Sequence, residues 1–384
     1  MKFVVVAAAA LAATPAPWKH VTAPGAGRVG AVRSADGVLH VAWRNGGDLF
    51  HTAIRASGKV GATAPIATAE GTDPAIVAVP GGLRVFWGDP GQQLDTAFSA
   101  DGGASWQLTP VVQAAAENVS ATATLQAWAG PLGTFVHAGL DASTPSVSYG
   151  PGGADPELAT DAGGRTMLTN GAVVQGVNPD GSPDGAPMTM PGAGATRTPI
   201  VARAKSGGFY VAYAVGDDVR VWNVGSANTW DLGSGRTPSL AADAQGRIWA
   251  VWAQGAHVFA ARSDRDVTEF GASVDAGAAR DATALDASAT GSALDVLAQF
   301  AGATSVTRVL PGLTLQARRH VNQVTFSVTD AGDPRRGARV RAAGRAGKTD
   351  RNGRVTLTLR TGATAIATLR GYTRATLKVK APVR

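Results

Sequence analysis

Three arginines occupy matching positions in the sequence and could together bind an anion. Arg197 and Arg236 each begin an Arg-Thr-Pro tripeptide, and Arg280 holds the corresponding place before Asp281. A guanidinium group presents paired donors that fit a carboxylate, sulfate or phosphate. If the segments that carry these arginines are neighbours in the fold, the three side chains converge on one ligand. The alternative is that they are solvated loop arginines inherited from a duplicated unit.

The sequence lacks the common arrangements of catalytic residues. The 384 residues include no cysteine, which excludes thiol catalysis and thiolate metal sites. The histidines lack the spacing of a transition-metal site. No Gly-x-Ser-x-Gly segment is present, and the glycine pairs lie in turns rather than at the strand-to-helix junction of a nucleotide loop. We therefore expect no catalytic residue, no metal and no cofactor.

The segment SADGGASW at 99–106 has the residues of a particular hairpin turn. Its aspartate can accept hydrogen bonds from the amides of the turn, its two glycines permit a positive φ, and its tryptophan can be buried between sheets. The residues that define the pattern are Ser99, Asp101, Gly103, Ser105 and Trp106. We expect a structural role for this turn.

Short alternating apolar runs, bounded by Gly, Pro and Asp, recur through the first 310 residues and predict β-strands. Seven units begin near residues 28, 74, 121, 156, 199, 238 and 282. A period of roughly 40 residues with four strands is typical of a β-propeller, whose blades close in a ring to cover every apolar face. We predict an all-β fold with a seven-bladed propeller over 18–311, or six blades if the third and fourth units merge. Residues 18–21 are predicted to complete the last blade.

The segment 99–106 resembles the Asp-box of sialidase-like (BNR-repeat) propellers. In that family the box lies on the face opposite the active site, which implies a structural turn here and places the three arginines on the other face. Sialidases also use a tyrosine nucleophile assisted by a glutamate. Here GRVGAVR at 27–33 lacks the proline of the family's Arg-Ile-Pro, and Tyr149, Tyr210 and Tyr213 have no identifiable glutamate partner. We predict that Tyr210 and Tyr213 are core residues.

A second region, 313–384, is strongly basic. Residues 312–384 hold 16 Lys and Arg against three acidic residues, whereas the whole chain has a net charge of +7. Alternating runs near 324–328, 355–359 and 375–379 and a tight turn at 350–353 predict strands. This pattern resembles bacterial Ig-like or carboxypeptidase-regulatory-like β-sandwiches, which implies a non-catalytic spacer or attachment module.

The positive charge of this region favours a polyanionic partner. Its two aromatic residues, Phe326 and Tyr372, are predicted to lie in the core, so sequence-specific binding of nucleic acid by base stacking is not expected. The alternative is that the arginines reflect only solubility or a compositional bias.

The first residues predict export. Lys2 precedes an apolar run over 3–13, and Ala10 and Ala12 are spaced like a cleavage site, so we predict a signal peptide at 1–13. We expect a secreted or cell-envelope protein without a lipid anchor, because no cysteine follows the cleavage site. No membrane span is expected, and we expect a monomer.

These observations predict an exported, non-catalytic recognition or scaffold protein. The propeller would bind a glycan or a cell-surface protein, and the basic sandwich would attach to an anionic envelope polymer. The alternative class is a glycoside hydrolase of sialidase-like type, and a third possibility is a structural envelope component with no ligand.

Overall fold

The computed structural model describes residues 17–68, 72–89, 93–112, 116–150, 155–192, 198–203 and 207–381. Over these residues the regular structure is entirely β-strand. No helix in them is long and apolar enough to cross a membrane. The predicted signal peptide at 1–13 and the predicted anion-binding Arg197 lie outside the described residues.

Seven four-stranded antiparallel sheets occupy the described residues between 19 and 309. The first strand of the described residues is β1 (Lys19–His20). The first three sheets contain β2 (Gly30–Arg33), β3 (Leu39–Asn45), β4 (Asp48–Ile54) and β5 (Val60–Thr68); β6 (Ala75–Val79), β7 (Gly82–Asp89), β8 (Gln93–Ser99) and β9 (Gln107–Val112); and β10 (Glu117–Ala121), β11 (Leu125–Gly130), β12 (Gly133–Ala138) and β13 (Val147–Ser148).

The next three sheets contain β14 (Glu157–Thr160), β15 (Thr166–Asn170), β16 (Val173–Val177) and β17 (Pro183–Thr189); β18 (Ile200–Ala202), β19 (Phe209–Val215), β20 (Asp218–Asn223) and β21 (Thr229–Ser234); and β22 (Arg236–Ala242), β23 (Ile248–Gln254), β24 (His257–Arg262) and β25 (Val274–Ala278). The seventh sheet contains β26 (Ala284–Thr290), β27 (Ala293–Phe300) and β28 (Ala303–Val309), together with β1.

The core of this region is a ring of interfaces between consecutive sheets. Each sheet carries apolar residues on both faces, so it must pack against a neighbour on either side. Among the described residues, apolar clusters fill all seven interfaces between consecutive sheets, including the one between the seventh sheet and the first. The first strands contact one another in the same order, and β26 contacts β2. This is the arrangement of a β-propeller.

The closing strand is where the sequence predicted it. Lys19 pairs with Val306 and His20 with Ser305, so β1 is the fourth strand of the seventh sheet. Trp18 packs edge-on against Phe300 with 5.4 Å between ring centroids.

The third sheet begins at Glu117, earlier than the predicted position near 121. The pairing of β10 with β11 shifts register between Glu117 and Ser120, and Asn118 has a positive φ of 48°. This bulge breaks the alternation of apolar residues that marks the start of the other units.

Residues 314–379 form two further sheets. They contain β29 (Thr314–His320), β30 (Gln323–Asp330), β31 (Asp333–Pro334), β32 (Arg339–Ala342), β33 (Arg345–Lys348), β34 (Arg354–Thr358), β35 (Ala363–Thr368) and β36 (Ala375–Val379). One sheet is β29-β30-β31 with β34 paired to β30, and the other has the order β33-β32-β35-β36. Both contribute to one apolar core around the fully buried Phe326. The two sheets therefore form a β-sandwich, and the strands predicted near 324–328, 355–359 and 375–379 are present.

The strand directions define two faces of the propeller. On the first, which we call the start face, each first strand begins and each second strand turns into the third. On the second, the first strand turns into the second and the third into the fourth. We call this the docking face, because the sandwich contacts it at Arg247 and Arg262.

Candidate functional site

Two of the three predicted anion-binding arginines meet at one carboxylate on the start face. Arg236 opens β22, and Arg280 lies just before β26 of the next sheet. Nη2 of Arg236 is 3.9 Å from Oδ1 of Asp281, and Nε of Arg280 is 3.6 Å from Oδ2 of the same side chain. All three side chains are more than half exposed, at 56%, 86% and 83%. The guanidinium groups are thus close together and accessible, with Asp281 between them.

An ion cluster that sequence reasoning missed crosses the ring at the start face. Arg28, just before β2 of the first sheet, donates through Nη1 to Oδ2 of Asp155 at 3.2 Å and through Nη2 to Oε1 of Glu157. Asp155 and Glu157 stand at the beginning of the fourth sheet, and the two sheets are not neighbours. The side chains are only 16–30% exposed. Arg28 therefore bridges the central channel.

The repeat itself carried a signal for this cluster. Arg28 and Asp155 each lie two residues before the first strand of their own unit. Residues at that position in different units meet around the axis of a ring. The matching positions of Arg28 and Asp155 in their units therefore predict that the two residues lie near each other.

The tyrosines considered for sialidase chemistry have structural contacts. Tyr210 and Tyr213 are buried, as predicted. The Tyr213 hydroxyl donates to the carbonyl of Pro191 at 3.0 Å. The Tyr149 hydroxyl donates to the carbonyl of Gly181 at 3.0 Å, and burial, with a smaller contribution from the charge of Asp180, raises its pKa to about 12. A phenol in these surroundings is a poor nucleophile.

The segment 99–106 forms the turn between β8 and β9 on the docking face. Oδ1 of Asp101 accepts hydrogen bonds from the amides of Ala104 and Ser105 at 3.0 and 2.9 Å, and Oδ2 accepts from the Ser105 hydroxyl at 2.6 Å. The Ser99 hydroxyl donates to Asp101 and accepts from the Gly103 amide. These bonds hold the pKa of Asp101 far below its usual range, the Ser105 hydroxyl most of all.

A buried histidine pair lies against this turn. Nδ1 of His40 and Nε2 of His51 are 3.0 Å apart, and Nε2 of His40 is 3.1 Å from the Ser34 hydroxyl. The His51 ring packs edge-on against half-buried Trp106, with 5.6 Å between centroids. Burial lowers the pKa of His40, and burial together with the charge of His40 lowers the pKa of His51 to about 4. Both rings are therefore neutral near pH 7.

Buried charges join the sandwich to the sixth sheet. Asp330 is 1% exposed and accepts hydrogen bonds from Arg262, from Arg335 at 2.5 Å and from the Tyr372 hydroxyl at 3.3 Å. The Arg262 guanidinium lies between two rings, 5.2 Å from the centroid of Trp249 and 5.9 Å from that of Tyr372. Tyr372 is thus a contact residue of the interface as well as a neighbour of the sandwich core.

A second ion pair extends the same contact. Arg247 is 3% exposed and donates to Asp333 and, at 2.8 Å, to the carbonyl of Ser263. Asp333 also lies 3.7 Å from Arg335. Two arginines of the propeller, two aspartates of the sandwich and Arg335, which contacts both aspartates, therefore form one continuous charged network. Within the described ranges, no group of three or more His, Asp or Glu side chains is placed to hold a metal ion.

Comparisons with known proteins bear on the fold alone. No protein-family model matches the chain, and a search of curated proteins finds no match. Among solved structures, the selenomethionine form of virginiamycin B lyase from Staphylococcus aureus covers 80% of this chain and 100% of its own, with a TM-score of 0.54 and 9% identity. A chain of a mitotic checkpoint complex has a TM-score of 0.56 and 14% identity, covering 77% of this chain and 95% of its own.

A third solved structure gives the same result. Hydrazine synthase from Kuenenia stuttgartiensis matches with a TM-score of 0.52 and 11% identity, covering 74% of this chain and 96% of its own. The structural neighbours are propeller-like. The β-propeller fold is therefore shown, and at these identities no activity carries over.

Proposed function

We propose that this chain is an exported, non-catalytic recognition or scaffold protein built from a seven-bladed propeller at about 18–311 and a basic Ig-like sandwich at 313–384. The propeller binds a glycan or a cell-surface protein at its start face, and the sandwich attaches the molecule to an anionic envelope polymer. The ring of seven sheets, closed by β1, supports the blade count.

One observation carries the attachment role: the acidic residues of the sandwich are few, and each is held by other groups of the chain. Of the three acidic residues in this region, Asp330 and Asp333 pair with arginines at the docking face. The third, Asp350, accepts hydrogen bonds from the amides of Asn352 and Arg354 within a hairpin turn. The outer surface of the sandwich therefore combines many cations with almost no compensating negative charge, as expected for a surface that binds polyanions.

The position of the sandwich supports the recognition role. It contacts the docking face, so it leaves the start face free for a second partner. Arg236 and Arg280 are exposed there and close enough to share one acidic group of a glycan.

Attachment is tested with the intact chain on a surface coated with poly(glycerol phosphate) and on a neutral dextran surface. We expect binding to the anionic surface only, with an affinity that falls about 100-fold or more between 50 and 200 mM NaCl because counterions are released on binding. Equal binding to dextran, or no binding to either surface, would contradict the attachment role.

Recognition and catalysis are separated by a glycan array and a panel of fluorogenic sialosides. We expect array binding to acidic glycans that is lost in R236A/R280A, with no sialoside hydrolysis by either protein. Hydrolysis by the parent chain that disappears in R236A/R280A would instead establish the alternative, a glycoside hydrolase of sialidase-like type.

A further inference from the structure

One side of the sheet β33-β32-β35-β36 is covered with cations. Along β32 the odd positions Arg339 and Arg341 are exposed, whereas Val340 and Ala342 are buried in the sandwich core. The other exposed cations on this side are Lys348 on β33, Arg374 just before β36, and Lys378 on β36. Arg345, also exposed on β33, pairs with the buried Ala342 and so belongs to the opposite side. We call Arg339, Arg341, Lys348, Arg374 and Lys378 together the cationic sheet face.

The register brings these side chains side by side. Arg339 pairs with Lys348 on one neighbouring strand and with Thr368 on the other. Because paired residues in an antiparallel sheet project to the same side, their side chains are neighbours at about 4.8 Å per strand. Lys378 pairs with Thr364, and Arg341 follows Arg339 after about 7 Å along the strand. Cations and threonine hydroxyls thus share one side of the sheet, with Ile366 between Arg341 and Thr376.

Nothing in the described chain neutralises this surface. None of the five cations forms an ion pair with another described residue. Of the three acids of the sandwich, Asp330 and Asp333 bind arginines at the docking face, and Asp350 accepts amide hydrogen bonds within its own turn. Five uncompensated cations so close together repel one another, and a bound polyanion would remove that repulsion.

The chemistry of the face selects among polyanions. The cationic sheet face contains no aromatic residue, so no nucleic-acid base could stack on it. The surface of a sheet also offers no pocket for a compact ligand. A single arginine fork already satisfies a planar carboxylate, whereas a tetrahedral phosphate uses donors from several directions. Arginines interspersed with the hydroxyls of Thr364, Thr368 and Thr376 supply such donors.

We propose that the cationic sheet face binds a linear, base-free phosphodiester polymer that lies flat across the four strands. This inference rests on the proposed attachment role and names the surface and the ligand chemistry that perform it. The docking contacts join the sandwich to the face of the propeller opposite the start face.

The test compares two variants of the full chain that lose the same charge. R339Q/R341Q/K348Q/R374Q/K378Q removes the cationic sheet face, and R318Q/R336Q/R351Q/R354Q/R360Q removes five exposed cations elsewhere on the sandwich. With poly(glycerol phosphate) at 50 mM NaCl, we expect the first variant to lose affinity about 100-fold or more and its log–log salt slope to fall by about 4. The second should lose less than about 10-fold.

The outcomes separate this inference from the proposed function. Equal losses in both variants would leave the attachment role intact and overturn the assignment to this face. A parent chain that does not bind the polymer would overturn both. Equal or tighter binding of polygalacturonate would overturn the phosphate assignment, and equal or tighter binding of poly(dT) would assign single-stranded nucleic acid instead.

A charge-preserving variant guards against misfolding as the cause of any loss. R339K/R341K/R374K keeps every charge but removes the forked donors, and we expect a loss of about 3- to 10-fold with an unchanged thermal unfolding curve. Affinity equal to the parent would overturn the role given to the arginine forks.

Discussion

Two charged clusters, one on each face of the propeller, differ in burial. On the docking face, Asp330 and Arg262 are almost completely buried and each contacts more than one partner. On the start face, Asp281 lies between two arginines but all three groups are largely exposed. Buried pairs are costly to break, whereas exposed pairs are screened by solvent and contribute little to stability. The charges of the docking face therefore hold the structure together, whereas the cluster of Arg236, Asp281 and Arg280 on the start face stays accessible to solvent.

The largest effect is expected from Asp330→Asn. The substitution keeps the shape of the side chain but leaves Arg262 and Arg335 without their shared carboxylate in a buried site. We expect the free energy of unfolding to fall by about 3–5 kcal/mol, measured by urea denaturation of the full chain. Proteolysis between 309 and 314 should also accelerate. The matched control is Asp333→Asn. The Asp333 side chain is 32% exposed, so this substitution should lower the free energy of unfolding by less. A loss below 1 kcal/mol for Asp330→Asn would remove the contrast between the faces.

A second effect tests packing at the docking face. A Cβ on Gly103, where φ is +94°, would lie 2.2–2.9 Å from atoms of the His51 ring, so Gly103→Ala should destabilise by about 2–4 kcal/mol. At Gly102, where φ is +71°, a Cβ meets no atom within 4 Å. Gly102→Ala should therefore cost only the backbone strain, about 1–2 kcal/mol. Equal losses in thermal unfolding would show that the His51 contact contributes nothing.

A third prediction concerns pH. The pKa of His51 is lowered to about 4 in the folded chain by burial, then by the charge of His40. The unfolded chain therefore binds more protons between about pH 6.5 and 4, and the folded state loses up to about 3 kcal/mol over that window as pH falls. The contribution of His51 to the free energy of unfolding is constant above about pH 6.5. Urea midpoints across pH should show this slope, and His51→Gln should flatten it; identical slopes in both proteins would contradict the assignment.

The smallest effect is expected on the start face. Asp281→Asn removes the carboxylate shared by Arg236 and Arg280, but these groups are exposed, so stability should change by less than about 0.5 kcal/mol. Differential scanning calorimetry is the measurement. A loss comparable to that of Asp330→Asn would show that both faces use their charges structurally.

Local pattern was sufficient to predict most of the fold. Alternating apolar residues and turn residues marked the units of the propeller, and their phase placed residues 18–21 against the seventh sheet, where Lys19 and His20 pair with β28. The start of the third unit was missed because the bulge between Glu117 and Ser120 interrupts that alternation.

The charged contacts were harder to predict, because they depend on which units face each other. Arg28 and Glu157 are 129 residues apart and meet only through the ring. Arg262 lies in a polar segment that reads as exposed, yet it is 5% exposed because the sandwich covers it. Burial of this kind depends on the contact between the sandwich and the propeller, so the hydropathy of one segment cannot predict it. Arg236 and Arg280 were placed together because both belong to the repeat itself.

The closing pair has a consequence for the order of folding. Lys19 and Val306 are joined across nearly the whole propeller, so bringing them together costs about 3 kcal/mol more in chain entropy than closing a ten-residue hairpin. Only two residues of β1 pair with β28, and the contact of Trp18 with Phe300 adds to them. Contacts of such long separation form after the local sheets. The propeller strand that comes first in chain order is therefore the last to find its place, and the ring stays open until the seventh sheet exists.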